Sequence, residues 1–245
     1  MTNELKKIFD VWAAETRMKY QNNPLVLSKW EPYAEIFWPQ EKIGSLFRNI
    51  RENLNLRIND SIIELGCGSG WILIDLAKFA RRAYGLDVSR EMLKSAQTLL
   101  PLSSLVSGEI GKLPFKDKSF DCALSYFVFI NFADDRYVEN ALVEIARVLK
   151  PGGRALIGQL PDKGGSARYD KARNAYYEYC RKTFKLKENL REKCRPPLRL
   201  FDKSQLEKPL KKMNVQYRFT DSFNPFYRPG EPKVIDWRFD VVIEK

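Results

Sequence analysis

From residue 61 onward, short apolar runs alternate with stretches whose apolar residues recur at helical spacing. SIIEL, residues 61–65, predicts a strand, and WILIDLAKFA, residues 71–80, predicts a helix. RAYGLD, residues 82–87, predicts the next strand, and SREMLKSAQTLL, residues 89–100, predicts a helix with Ser89 as its cap. This alternation is typical of βαβ units that build a parallel sheet.

The alternation continues over the next 60 or so residues. SLVSGE, residues 104–109, predicts a third strand, and CALSYFVF, residues 122–129, predicts a continuous buried strand. DRYVENALVEIARVLK, residues 135–150, predicts a helix that ends at the following Pro-Gly-Gly. RALIGQL, residues 154–160, predicts a fifth strand.

Two segments of different character flank this alternating unit. Residues 4–50 are helical in pattern and rich in aromatic side chains, whereas residues 162–213 are basic and largely helical. Residues 217–221 and 236–244 predict two final strands, which we expect to pair antiparallel. The expected organisation is a helical cap (1–50), a core (51–161), a basic insertion (162–213) and two completing strands (214–245).

Composition narrows the classes of protein. The chain has 245 residues, of which 44% are hydrophobic, enough for one elaborated domain with a buried core. No run of about 18 apolar residues occurs and the first residues are charged, so we expect a cytoplasmic protein without a membrane span. The four cysteines have no CxxC spacing, and no metal site or disulfide is predicted.

Histidine is absent, which excludes Ser/His and Cys/His nucleophile arrangements and the commonest general base at neutral pH. The net charge of +11 is concentrated in residues 162–212, which hold 16 Lys or Arg against 7 Asp or Glu. A solvated helical face would explain this charge. An anionic partner would also explain it: a phosphorylated or carboxylated metabolite, an acidic carrier protein, an anionic membrane surface or RNA.

The stretch ELGCGSGW, residues 64–71, joins the first strand to the first helix through three glycines. Backbone amides and the helix dipole converge at such a turn, which favours a nucleotide or another anion. A P-loop would need Gly-Lys-Ser/Thr, and a dinucleotide fingerprint would need glycine where Trp71 stands. The pattern that remains is E-x-G-x-G-x-G, formed by Glu64, Gly66, Gly68 and Gly70.

With this pattern, residues 61 to about 160 resemble the class I S-adenosylmethionine-dependent methyltransferases. The resemblance implies a Rossmann-like, doubly wound α/β fold with a seven-stranded, mostly parallel sheet and an antiparallel final strand. It also implies that S-adenosylmethionine is the cofactor, that Glu64 binds near its methionyl amino group, and that the glycine loop, including Cys67, lets backbone pack against its sugar and methionyl chain.

Other predicted cofactor contacts follow the next two strands. Asp87, 21 residues after Gly66, matches the ribose-binding carboxylate, with Val88 and Met92 packing on adenine as the resemblance implies. A role for Asp87 in starting the helix is the alternative. Glu109 and Ile110 match the adenine-binding pair, although the family usually has aspartate, and a solvated turn is the alternative for Glu109.

LPFKDKSFD, residues 113–121, and KPGG, residues 150–153, match the family at places that do no chemistry. In this fold the segment from Ser125 to Asp134 faces the methyl donor, and Ser125 is therefore a further cofactor-site candidate. Many relatives carry histidine in this segment, where this chain has Asn131, so no base is assigned. Asn131 would orient a substrate or lead into the helix, whereas Asp134 is expected to cap that helix.

The aromatic N-terminal segment fits a cap over the site, because aromatic faces attract a cationic sulfonium and exclude water. Tyr20 is its candidate for cofactor contact. An ordinary helix pair packed on the sheet is the alternative for this segment.

The function predicted from the sequence is methyl transfer to a small-molecule acceptor that is lipid-linked, carrier-linked or anionic. An RNA methyltransferase is the alternative within enzymes, although Asn-Pro-Pro-Tyr does not follow the fourth strand. A non-catalytic S-adenosylmethionine-binding protein is the alternative from another class, and a dehydrogenase is opposed by Trp71.

Overall fold

A computed structural model describes a single seven-stranded sheet with helices on both faces, in the strand order β3-β2-β1-β4-β5-β7-β6. The residues described are 6–7, 10–11, 14, 40–98, 100, 104–168, 199–223 and 234–245. The strands are β1 Ser61–Leu65, β2 Arg82–Asp87, β3 Ser104–Ser107, β4 Phe120–Tyr126, β5 Leu149–Pro161, β6 Gln216–Phe223 and β7 Val234–Glu244. The helices are α1 Gln40–Leu54, α2 Leu73–Leu76, α3 Arg90–Gln97, α4 Asp135–Val148 and α5 Lys203–Lys212. Short 3-10 helices span Phe129–Asn131 and Lys163–Gly165.

The pairing of the strands confirms the predicted α/β class. β1 lies between β2 and β4 with both neighbours parallel, and β4 pairs parallel with β5. β7 is antiparallel to both β5 and β6, so it is the reversed strand of the sheet. Strand order reverses between β1 and β4, which places a ligand crevice at the carboxyl ends of these strands.

Apolar side chains cover both faces of the sheet, as a doubly wound fold requires. On one face, α4 and α5 bury side chains that include Val138, Leu142 and Leu210. On the other face, α1, α2 and α3 bury side chains that include Ile50, Leu73 and Leu93. The central strand β1 is buried along its whole length, so the residues that follow it are held on a rigid support.

Helix starts are set by the residues that the sequence indicated. Ser89 accepts a hydrogen bond from the Met92 amide at 3.1 Å and caps α3. Asp134 accepts from the Tyr137 amide at 2.7 Å and caps α4. Such caps satisfy amides that have no partner within the helix.

Two predicted elements are shorter in the structure. The fourth strand ends at Tyr126 instead of residue 129, and the next residue, Phe127, has a left-handed φ of +61° that departs from extended backbone. Residues 129–131 then form a 3-10 turn. The first helix after the glycine loop spans only Leu73–Leu76, instead of residues 71–80.

The flanking segments are described only in part. Of the basic insertion, residues 169–198 lie outside the described residues, and its described part ends in α5. Most of the N-terminal cap segment, including Tyr20, also lies outside them. Within the described part of the chain, none of the helices has the length and apolar character that a membrane span requires.

Candidate active site

Most of the predicted cofactor residues lie at the carboxyl ends of β1, β2 and β3, which are neighbours in the sheet, whereas Ser125 lies on β4 and Tyr20 lies outside the described residues. Glu64 lies in β1 and the glycine loop follows it, Asp87 ends β2, and Glu109 comes two residues after β3. Because parallel strands end at the same edge, carboxylates 23 and 22 positions apart in sequence become neighbours in space. The sheet thus brings together the three carboxylates that the sequence singled out.

The three loop glycines fall into two groups. A Cβ on Gly66 would lie 2.5 Å from Cγ2 of Val128, and a Cβ on Gly70 would lie 2.7 Å from Cδ1 of Leu100. At Gly68 no described atom lies within 4 Å of that position. All three have positive φ, which a side chain disfavours. Gly66 and Gly70 therefore make room for protein side chains, whereas Gly68 has none close to its Cβ position in the part of the chain that the structure describes.

Glu64 is the most unusual group of the site. Its residue is 3% exposed, and Oε2 has no hydrogen-bond partner among the described residues. Burial, with the nearby Asp87 carboxylate, raises the pKa of Glu64 well above its ordinary value, although the Leu73 amide offsets part of this. A buried carboxylate with a free oxygen costs free energy, and a cationic group placed against it would relieve that cost.

Asp87 forms hydrogen bonds both to the glycine loop and to the residue that caps α3. Its Oδ2 accepts from the Gly68 amide at 2.8 Å, and its Oδ1 accepts from the Ser89 amide at 2.8 Å. The predicted alternative, a role in starting the helix, is therefore seen in the structure. A carboxylate has about four acceptor positions, so these two bonds leave capacity for ribose hydroxyls. Burial and the Asp10 carboxylate raise its pKa, and the amides of Ser89 and Gly68 lower it in part.

Asp10 connects the N-terminal segment to this corner of the site. Its Oδ1 accepts a hydrogen bond from the Ser89 hydroxyl at 2.5 Å. Ser89 in turn caps α3 and donates its amide to Asp87. Ser89 thus connects Asp10, in the N-terminal segment, to Asp87, the proposed ribose carboxylate. The sequence did not indicate this link.

Cys67, Val88 and Met92 are packing groups. Cys67 is 3% exposed and its Sγ lies against Gly85, where a Cβ would approach to 2.7 Å. Burial and the two nearby carboxylates raise the pKa of the Cys67 thiol, so it stays protonated. Met92 is buried and Val88 half-buried. Their apolar side chains beside Asp87 are consistent with an adenine contact, which stays a prediction.

The predicted adenine pair and Ser125 differ in exposure. Glu109 is exposed and Ile110 is buried, so the carboxylate reaches outward while the turn is anchored by its neighbour. Ser125 is 1% exposed, and its hydroxyl donates to the Leu65 carbonyl at 3.2 Å. That bond fixes β4 against the start of the glycine loop.

A buried polar cluster, which the sequence did not indicate, lies at the carboxyl end of β5. The Gln159 side-chain amide donates to the Tyr126 hydroxyl at 3.1 Å, and its backbone N–H donates to Oδ1 of Asp240 at 2.8 Å. Arg238 donates to Oε1 of Gln159 at 3.1 Å. Gln159 has a φ of +66°, so these bonds hold a strained residue in place. We name Tyr126, Gln159, Arg238, Asp240 and Ser222 the β5 polar cluster.

The β5 polar cluster restricts the chemistry of the acceptor side. Burial and the Asp240 carboxylate raise the pKa of Tyr126 well above its ordinary value, so its phenol stays protonated at neutral pH. Tyr126 is therefore no general base. Asn131 donates a hydrogen bond to the Phe127 carbonyl at 3.4 Å within the 3-10 turn.

In the described part of the basic insertion, several cations already have acidic partners. Arg199 pairs with Asp135, Arg168 pairs with Asp236 at 2.5 Å, and the others are Lys211 with Glu207 and Lys212 with Glu139. Apart from the largely buried Arg199, these cations are exposed, so their pairs contribute little to stability, but all four pairs reduce the field that these residues exert.

Comparisons with known proteins agree with this geometry. Residues 63–157 match the family model described as a methyltransferase domain. The demethylmenaquinone methyltransferase of Corynebacterium kroppenstedtii is 36% identical over 117 residues, covering 47% of this chain and 48% of the relative. The malonyl-[acyl-carrier protein] O-methyltransferase of Erwinia billingiae is 35% identical over 104 residues, covering 42% and 40%. The chain spans less than half the length of both curated relatives.

Solved structures show the same fold. A putative methyltransferase of Haloferax volcanii, solved with a methyltransferase activator, has a TM-score of 0.64 at 19% identity over 96% of each chain. An S-adenosylmethionine-dependent methyltransferase of Methanosarcina mazei has a TM-score of 0.57 at 22% identity, covering 80% of this chain and 96% of that one.

Proposed function

We propose that this protein is a class I S-adenosylmethionine-dependent methyltransferase that transfers a methyl group from that cofactor to a small-molecule acceptor; the match of residues 63–157 to a methyltransferase domain supports this. The observation that carries the proposal is the pair of carboxylates at the ends of β1 and β2, with a buried oxygen on Glu64 that no described residue contacts through a hydrogen bond. The pyrophosphate of a dinucleotide would bring no positive charge to this oxygen. A ligand with an ammonium group and no phosphate fits.

Each predicted contact has a distinct physical task in this proposal. Glu64 would bind the methionyl ammonium, and Asp87 would accept the ribose hydroxyls. The open backbone face at Gly68 would admit the sugar. Glu109 and the Ile110 amide would bind the two polar atoms of the adenine edge.

When bound, S-adenosylmethionine supplies a methyl group on a cationic sulfur, already activated for in-line displacement. The protein then has to align the acceptor and exclude water. Val128, which follows β4, places apolar surface beside the glycine loop for that purpose. Tyr126 and Gln159 stay neutral and are held by hydrogen bonds, so their task is positioning.

Titration calorimetry tests the cofactor assignment. The wild type should bind S-adenosylmethionine and its demethylated product, and Glu64→Gln should weaken binding by about tenfold to a hundredfold, the value of a hydrogen bond between charged groups. Glu139→Gln, on the exposed face of α4, is the matched control and should bind like the wild type.

Because the pKa of Glu64 is raised, binding of a cation should favour its ionised form. The wild type should therefore release a proton on binding, seen as a heat that depends on the buffer, and Glu64→Gln should lose this dependence. Binding of NAD in place of S-adenosylmethionine, or of neither, would sink the proposal.

The acceptor is the finer part of the proposal. The charge of residues 162–212 supports an acceptor with an anionic group, and the relatives methylate a quinone precursor and a carrier-linked acid by their names. Transfer of labelled methyl to a small-molecule extract should exceed transfer to bulk tRNA, and its Michaelis constant should rise with salt. Binding without transfer to either pool would favour the non-catalytic alternative. The cytoplasmic location stays a prediction from the sequence.

A further inference from the structure

Helix α4 holds the segment that follows β3, residues 109–115, which we name the post-β3 segment. Glu144 accepts the Leu113 amide at 2.6 Å, and Arg147 donates to the Leu113 carbonyl at 3.1 Å and to the Phe115 carbonyl at 2.8 Å. Glu144 and Arg147 also pair with each other at 2.7 Å. The far end of the segment is therefore fixed to α4 by backbone hydrogen bonds with charged partners.

Tyr137 packs against the end of the same segment that lies closer to β3. It lies seven residues before Glu144, two turns along the same face of α4. A Cβ on Gly111 would lie 3.2 Å from Cε2 and 3.4 Å from Cζ of Tyr137, so the turn rests directly on the hydroxyl end of the ring. The ring is fixed from its other side by Phe132, with centroids 4.8 Å apart.

The polar groups of this turn also affect the pKa of the Tyr137 phenol. Burial raises the pKa of Tyr137, the amides of Gly111 and Ile110 lower it, and the Glu109 carboxylate raises it. The same carboxylate and the Ile110 amide form the proposed adenine contact. Glu109 is exposed, so without a neighbour its side chain would keep several rotamers.

We propose that Tyr137 is a positioning residue for nucleobase recognition, and that its hydroxyl holds the Glu109–Gly111 turn in the arrangement that selects adenine. This inference rests on the proposed function, since it assumes that the turn binds the cofactor's base. Tyr137 acts through Glu109 and touches neither the reacting methyl group nor the acceptor.

The variant Tyr137→Phe tests this inference, because it keeps the ring under Gly111 and removes only the hydroxyl. The probes are S-adenosylhomocysteine and S-inosylhomocysteine, in which a carbonyl replaces the adenine amino group, both measured by calorimetry on the full chain. The wild type should prefer the adenine compound. Tyr137→Phe should bind that compound about tenfold more weakly, the typical loss for a hydrogen bond to a charged group, and bind the hypoxanthine compound unchanged.

Tyr217→Phe is the matched control, since it removes a hydroxyl from a half-buried tyrosine on the far edge strand β6 and should leave both affinities unchanged. Equal weakening of both compounds in Tyr137→Phe, or no weakening, would overturn the inference. A wild type that binds neither compound would instead refute the proposed function. Melting temperatures of all variants separate these results from loss of folding.

Discussion

Asp240 in the β5 polar cluster gives the most direct test of the electrostatics described above. The residue is 1% exposed, and its Oδ1 accepts hydrogen bonds from the Gln159 amide and the Ser222 hydroxyl. Burial raises the pKa of Asp240 to about 6, although the bonds from Ser222 and Gln159 and the charge of Arg238 oppose the rise. The perturbation is Asp240→Asn, which keeps the accepting oxygen and removes the titration.

The size of the effect follows from the change in pKa. A rise from 3.8 to about 6 corresponds to about 3 kcal/mol of stability, at roughly 1.4 kcal/mol for each pKa unit. The folded protein binds this proton more tightly than the unfolded chain does. Stability from Asp240 is therefore fully present below about pH 4 and is lost as the pH rises through about 6. About 2 kcal/mol of the loss falls between about pH 4 and pH 7.

The assay is urea unfolding of the wild type and Asp240→Asn at both pH values. Other titrating groups contribute equally to both proteins, so they cancel in the difference between them. The variant should gain about 2 kcal/mol relative to the wild type on going from pH 4 to pH 7.

Asp121→Asn is a control of opposite sign. Burial raises the pKa of Asp121, but hydrogen bonds from Lys150 and Ser61 outweigh this and lower it overall. Its stability contribution is present above the unfolded pKa and lost as the pH falls, so Asp121→Asn should lose stability relative to the wild type as the pH rises. A pH-independent difference for Asp240→Asn, or one with the same sign as that of Asp121→Asn, would refute the reasoning.

Three further predictions concern stability. Gly66→Ala should lower the free energy of unfolding more than Gly68→Ala, which should lower it by only about 1–2 kcal/mol because residue 68 has a positive φ. Adding Val128→Ala to Gly66→Ala should restore part of the loss, as measured by chemical unfolding. Arg147→Met should lower the free energy of unfolding by about 2 kcal/mol, because the carbonyls of Leu113 and Phe115 lose a charged donor. An unchanged denaturation midpoint would contradict this. Ser89→Ala should cost about 1 kcal/mol through the lost cap of α3, and a calorimetric melt that matches the wild type would disprove it.

The strands were the most predictable part of the chain. SIIEL and RAYGLD were predicted with the bounds that the structure has, because both are short apolar runs closed by a turn or a helix cap. The end of β4 was predicted three residues too late. The apolar pattern continues through Phe127, where the backbone becomes left-handed, a change that hydrophobicity does not encode.

The candidate site was predictable where its residues lie in one contiguous motif. The loop from Glu64 to Gly70 and the carboxylate of Asp87 occur in the expected places, although their roles stay predictions. Contacts between distant segments left no local pattern: Val128 against Gly66, Tyr137 under Gly111 and Gln159 with Asp240 depend on how the sheet closes. Tyr20 lies outside the described residues, so its assignment stays a prediction.

The contact between Val128 and Gly66 has a mechanical consequence. The methyls of Val128 occupy the volume that any side chain at residue 66 would need, so the turn after β1 and the turn after β4 interlock through close packing. Neither turn can shift without displacing the other. Under the proposed function, with the donor at the glycine loop and the acceptor beside the turn after β4, this contact would fix the spacing of the two molecules before either one binds.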